Sequence, residues 1–234
     1  MEIKNKFYSK NVVYKPWGHE YVVYNNANKI AVTFVYIKFG HKTSLHCHPQ
    51  KKTGFIILDG KALVQVGIYK ENKKNYKTGS RLVLRPGLFH SLEAVSKKGL
   101  CALEFETPYK KNDLLRFKDK YGRKLNDYEG KKYTKKISEL GFVKFKKPKT
   151  GKINKYLFNN SEVSIHVIKK MNKIIKKDNK STLALLEGNI IDEKGLNVIS
   201  YGEIIKTKTL EIFCKNFKIK KELTVLKVSN LKKK

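Results

Sequence analysis

At 234 residues the chain has room for one large β domain or two small ones with a sizeable buried core. A formal charge of +32 would point to nucleic acid or an anionic surface, but Arg81, Arg85, Arg116 and Arg123 are the only arginines, so 48 of the 52 basic residues are dispersed lysines. Specific phosphate and base recognition favours arginine's planar fork, so the lysine excess, with its abundant Asn, Ile and Tyr, is read as compositional, and no specific nucleic-acid partner is expected.

The N-terminus, Met1-Glu2-Ile3-Lys4-Asn5-Lys6, is charged and lacks an apolar signal region, and no later run approaches a membrane span. Short β segments follow from Lys15 to about Pro108: Tyr21 to Tyr24, Ile30 to Phe39, Gly54 to Leu58, Ala62 to Tyr69, Arg81 to Leu84 and Leu100 to Glu106, all rich in β-branched and aromatic residues. Asn25-Asn26, Phe39-Gly40, Asp59-Gly60, Thr78-Gly79 and Pro86-Gly87 mark the turns. Asn112-Asp113 is expected to cap a short helical turn carrying Leu114, Leu115 and Phe117. Lys131 to Leu140, closed by Gly141, is expected as a brief helix within a linker.

The β pattern then returns at Val163 to Ile168, Thr182 to Leu186, Asn197 to Ser200, Glu211 to Asn216 and Leu223 to Val228. Leu185-Leu186-Glu187-Gly188-Asn189-Ile190 echoes Ile57-Leu58-Asp59-Gly60-Lys61-Ala62, and Tyr201-Gly202 echoes Thr78-Gly79. The expected organisation is therefore a metal-binding barrel over residues 1–128, a linker over 129–152 and a degenerate second barrel over 153–234. Counting back from Gly188 as the first unit's histidines stand from Gly60 lands on Ile174 and Lys176, so the second copy should lack a metal site.

Chemistry concentrates in His46-Cys47-His48 and in Arg85-Pro86-Gly87-Leu88-Phe89-His90. Two histidines one residue apart on a strand project from the same face, and a third from another strand can converge on them. Three neutral imidazoles hold a divalent ion such as zinc, iron, manganese or nickel and leave positions open for substrate. Cys47 should point away from them into packing. His19 and His166 are read as ordinary surface or core residues. Cys47, Cys101 and Cys214 form no CxxC pair, which fits a reducing cytoplasm.

Gly40, His46-x-His48, Thr53 and Gly60 resemble the first cupin motif; Gly79, Arg85-x-Gly87 and His90 resemble the second. A closer resemblance spans residues 15 to 123. Lys15-Pro16-Trp17-Gly18-His19-Glu20 is similar to the entry segment of the cupin domain of type II mannose-6-phosphate isomerases. Thr43-Ser44-Leu45-His46-Cys47-His48 and Asn112-Asp113-Leu114-Leu115-Arg116-Phe117, followed by Asp119, Tyr121, Gly122 and Arg123, are similar to that domain's central and closing segments. The resemblance implies an all-β fold of two tandem double-stranded β-helix jelly rolls, a bicupin. It also implies one metal ion on His46, His48 and His90 and an activity on a carbohydrate, expected to be phosphorylated.

Thr53 stands where the isomerases carry a metal-binding glutamate, so the site is expected to be neutral unless Glu104 or Glu106 adds an oxygen. Those two glutamates, on one face of a strand, are the candidate proton-transfer residues of an isomerase working through an enediol. Arg85, Lys52 and Lys42 are the candidates for a substrate phosphate. A three-histidine iron dioxygenase and a non-catalytic sugar-nucleotide binder are the alternatives. Jelly-roll edges invite strand pairing, so a homodimer is expected.

Overall fold

Alternating apolar side chains generate short strands along the whole chain. The computed structural model describes residues 2–27, 29–123, 131–170 and 181–231, in two units, Met1–Lys144 and Phe145–Lys234. The first unit contains β1 (Asn11–Lys15), β2 (Gly18–Asn26), β3 (Ile30–Ile37), β4 (Leu45–Cys47), β5 (Lys52–Asp59), β6 (Lys61–Val66), β7 (Lys73–Lys77), β8 (Arg81–Leu84), β9 (His90–Ala94), β10 (Leu100–Thr107), β11 (Leu115–Lys118) and β12 (Thr134–Lys136). They form two antiparallel sheets, ordered β12-β1-β2-β3-β10-β5-β8 and β11-β4-β9-β6-β7. Val35, Phe55, Ile57 and Leu100 of the larger sheet meet Ala62, Val64, Leu92 and Ala94 of the smaller one in a shared core. The arrangement is the jelly roll of a double-stranded β-helix.

A helix that the sequence pattern did not reveal, α1 (Glu2–Lys10), packs on the face of the larger sheet that carries Glu20 and Glu106, with Tyr8 buried against Val13, Val22, Ala31 and Tyr109. The Asn5 amide donates to the Tyr109 carbonyl at 2.8 Å, and the Tyr109 hydroxyl donates back to the Asn5 carbonyl at 2.7 Å. The stretch expected as a linker instead contributes β12, which pairs with β1, and then a one-turn helix, α2 (Ile137–Leu140), ended by Gly141 at φ 63°. Residues 115–117, expected within a helical turn, are extended in β11. Pairing with β4 satisfies the backbone there, and the Asp113 carboxylate accepts from the Gln50 and Lys51 amides, each at 3.0 Å, rather than capping a helix.

The second unit contains β13 (Ile153–Phe158), β14 (Ser161–Ile168), β15 (Thr182–Glu187), β16 (Asn189–Ile191), β17 (Asn197–Ser200), β18 (Ile204–Lys206), β19 (Lys218–Ile219) and β20 (Leu223–Asn230). Residues 211–216, expected as a strand, lie in a helix, α3 (Thr207–Asn216). A short apolar run fits either period, and here Leu210, Phe213 and Cys214, three and four apart, pack on the unit's core. Its sheets run β13-β14-β20-β15-β18 and β17-β16-β19, the order of β2-β3-β10-β5-β8 and β7-β6-β9 in the first unit.

The echo noted in the sequence is a structural one. Ile57 exchanges backbone hydrogen bonds with Gly79 and Ser80 as Leu185 does with Gly202 and Glu203. A β-bulge interrupts the β10–β5 and the β20–β15 ladders at the matching place. Gly60 and Gly188 have φ of 88° and 86°, and a Cβ on either would fall 2.3 or 2.1 Å from a backbone carbonyl, of Gly99 or Glu222. Only glycine tolerates both the left-handed backbone and that close approach. Ile174 and Lys176 lie outside the described residues.

Candidate metal centre

β4, β9 and β11 assemble the site. His46 on β4 pairs with His90 on β9 and, on its other side, with Arg116 on β11. Directly paired residues share a face, so Arg116, His46 and His90 form one row pointing into the barrel. His48 follows one residue beyond β4, and the intervening Cys47 is buried away from the site, as alternation requires. The ligand nitrogens of the three histidines all lie within 4.8 Å of one another.

The fold also fixes the tautomer. His46 Nδ1 donates to the Ser44 carbonyl at 2.8 Å, His48 Nδ1 to the Asp113 carbonyl at 2.5 Å and His90 Nδ1 to the Leu88 carbonyl at 3.0 Å. A carbonyl only accepts, so each Nδ1 carries the proton, and a neutral ring then presents a bare Nε2 lone pair. All three rings favour neutrality. Burial lowers each pKa, helped at His46 by its histidine neighbours and at His48 and His90 by the Lys51 charge, with His48 at about 3 and His90 at about 4. Nε2 of His48 and of His90 are buried without a hydrogen-bond partner. Orphaned buried acceptors are destabilising unless a ligand satisfies them. Three neutral imidazoles with their second nitrogens locked to carbonyls form a donor set that could hold a metal ion.

Glu104 and Glu106 share the inward face of β10, but their environments differ. The Glu104 carboxylate lies 3.8 Å from His48 Nε2, and burial, reinforced by the neighbouring Glu106 charge, pushes its pKa up to about 8. Burial would raise Glu106 as well. Instead the ammonium groups of Lys111 at 2.6 Å and Lys51 at 2.5 Å hold it well below the usual carboxylate range, and Thr33 donates a third hydrogen bond at 3.1 Å. Glu106 is therefore a permanent anion, while Glu104 is poised to exchange a proton near neutral pH. Thr53 faces inward beside Phe55, and its hydroxyl is buried without a partner.

A cavity of about 90 Å³ opens beside the histidines, with Lys15, Lys51, Lys111, Arg116 and Arg123 among its walls. Arg85, Lys52 and Lys42 do not line it. Arg85 is exposed, its guanidinium donating to the Pro86 carbonyl at 3.3 Å, and the Lys42 amide donates to the Tyr121 hydroxyl at 3.3 Å. Alternation could have chosen Lys51 over Lys52, since Lys51 shares the inward parity of Thr53 and Phe55. Arg116 and Asp113 were hidden behind the expectation of a helical turn. The closing segment is a structural clasp: Asp119 accepts from the Arg123 amide at 2.7 Å and from its Nε at 3.0 Å.

Among the described residues of the second unit no group of three metal ligands occurs. Register matches Glu104 to Lys227, each four residues beyond the leucine that faces its glycine turn, so a cation replaces the acid there.

Residues 3–119 match the family model described as mannose-6-phosphate isomerase C-terminal. No curated protein matches the chain. Similar solved structures include a protein with a double-stranded β-helix domain from Klebsiella pneumoniae, 17% identical, covering 43% of this chain and 79% of that one with a TM-score of 0.39. KdgF from Halomonas sp. is 16% identical, covering 42% and 86%, with a TM-score of 0.37. The capsular polysaccharide assembling protein CapF from Staphylococcus aureus is 14% identical, covering 46% and 34%, with a TM-score of 0.40.

Proposed function

Because the chain belongs to the mannose-6-phosphate isomerase C-terminal family through residues 3–119, we propose that its first unit is a metal-dependent isomerase centre for a sugar or sugar phosphate. The observation that carries this reading is Glu104, a carboxyl with a pKa near 8 held 3.8 Å from a bare histidine nitrogen. A divalent ion on Nε2 of His46, His48 and His90 would polarise the carbonyl and neighbouring hydroxyl oxygens of an aldose or ketose. Glu104 takes the proton from one of C1 and C2 and returns it to the other, while the hydroxyl proton passes between O1 and O2 through solvent. A carboxyl that titrates near the working pH suits both halves of that transfer. Glu106 cannot share the task, because two ammonium groups hold it ionised; it keeps Lys51 and Lys111 in place.

The test is solvent exchange. Incubated anaerobically in deuterium oxide with manganese or zinc and mannose 6-phosphate or mannose, the protein should place deuterium at substrate C1 or C2, and Glu104→Gln should abolish that exchange. Oxygen uptake with ferrous iron in place of exchange would establish the dioxygenase alternative. Thermal stabilisation by ligand with neither reaction would establish a binder.

A further inference from the structure

One end of the second unit's main sheet is apolar on its inner face and the other end is polar. Ile168 on β14, with Leu223 and Val225 on β20, faces the unit's core, so alternation turns Ser164, His166 and Lys227 to the same side. Ser164 pairs with Lys227 and His166 with Val225; the matching pairs of the first unit are Thr33 with Glu104 and Val35 with Ala102. A lysine thus stands where the first unit has a glutamate, and a histidine where its core has a valine. Ser164, His166 and Lys227 are 4%, 3% and 7% exposed. Polar groups at that depth are destabilising unless they are satisfied.

His166 is satisfied on one side. The Ser164 hydroxyl lies 2.9 Å from His166 Nε2, while Nδ1 is buried without a hydrogen-bond partner among the described residues. Lys227 stands diagonally across the ladder from His166, within reach of a long side chain. After burial itself, the Lys227 and Lys155 charges are what lower the His166 pKa, with Glu162 opposing them. Lys155 on β13 pairs with Ser164 from the other side, is exposed and holds Glu162 at 3.2 Å. The row Lys155, Ser164, Lys227 therefore leads from the surface to the interior.

An oxyanion answers both groups at once. With the Ser164 hydroxyl donating to Nε2, the ring proton sits on Nδ1 and can donate to an anionic oxygen drawn by the lysine charge. We propose that the second unit binds the oxyanion of a small ligand, a carboxylate or a phosphate, between His166 Nδ1 and the Lys227 ammonium. The site is built wholly from the second unit and does not depend on the reaction proposed for the first. Exchange of Glu104 for Lys227 gives the two units opposite preferences, a cation in the first and an anion in the second.

Calorimetric titration of the metal-stripped full chain with inorganic phosphate, acetate and neutral glycerol tests this, with the His166 ring resonances followed by NMR and assigned through His166→Leu. Phosphate or acetate should bind and shift those resonances, and glycerol should do neither. Lys227→Met and His166→Leu should each weaken the anion roughly tenfold to a hundredfold, the range for losing a hydrogen bond to a charged group. Lys227→Arg keeps the charge and should keep binding, which leaves the test decisive if Lys227→Met fails to fold. Binding of phosphate alone assigns a phosphate, and of acetate alone a carboxylate. Binding of neither anion, binding that leaves the His166 resonances unmoved, or affinity indifferent to His166→Leu would overturn the site.

Discussion

Replacing Glu106 by glutamine should destabilise the first unit severely, because it leaves two buried ammonium groups with no anion between them. Glu106 is 1% exposed and Lys51 is 2% exposed, and Lys111 is ion-paired to the same carboxylate. Removing one partner of a buried ion pair costs about 3–5 kcal/mol. Unfolding entropy is roughly 2.1 cal/mol/K per residue, or about 0.3 kcal/mol/K over the first unit, so the melting temperature should fall by roughly 10–17 °C. Scanning calorimetry of the metal-free full chain measures this directly.

The pH dependence gives an independent check. Glu106 ionises in the folded chain well below its ordinary value of 4.5, so as pH falls the unfolded chain takes up the proton first. Its stabilisation is complete above about pH 4.5 and drains away below it; the glutamine variant should lack that acid-side slope. Replacing all three residues by apolar ones, Lys51→Met, Glu106→Leu and Lys111→Met together, should recover most of the loss, since apolar replacements of a whole buried ion network are often neutral or stabilising. A Glu106→Gln variant melting within 3 °C of wild type would refute the account of Glu106 as the obligatory counterion.

His46→Ala, His48→Ala and His90→Ala should each strip bound metal from a folded barrel, read by elemental analysis after gel filtration; full stoichiometry in the His46 and His48 double variant would remove the site. Thr53→Glu should tighten metal binding, because the buried, unpartnered Thr53 hydroxyl marks a place where an anionic oxygen can enter; unchanged affinity in a competition titration would put position 53 out of reach. Gly60→Ala and Gly188→Ala should each lower stability by about 1–3 kcal/mol or more through strained backbone, measured by urea denaturation, and a neutral Gly188→Ala would break the structural parallel between the units. His166 is held neutral to about pH 4, through burial first and then the Lys227 and Lys155 charges. The unfolded chain therefore binds its proton first between about 6.5 and 4, and stability should fall with pH over that window in wild type but less steeply in His166→Leu.

The histidine triad was legible because strand periodicity is a local property. His46-x-His48 had to share a face, glycine turns had to bring His90 alongside, and the repeat around Gly60 and Gly188 was visible as residues before it was visible as hydrogen bonds. The sequence by itself determined the all-β fold, the three converging histidines that could hold a metal ion and the two inward glutamates.

Which glutamate could move a proton was decided by neighbours remote in sequence: Lys51 and Lys111 converge on Glu106 and leave Glu104 to burial. Short segments with ambiguous period also waited on the tertiary structure. Residues 115–117 became part of a strand because β4 offered a ladder, and that choice aimed Arg116 inward, whereas Arg85, Lys52 and Lys42, near the histidines in sequence, missed the cavity. Side-chain alternation is set residue by residue along the chain, but pKa values and cavity walls depend on which charges come within a few ångströms after folding, and only the assembled barrel fixes those distances.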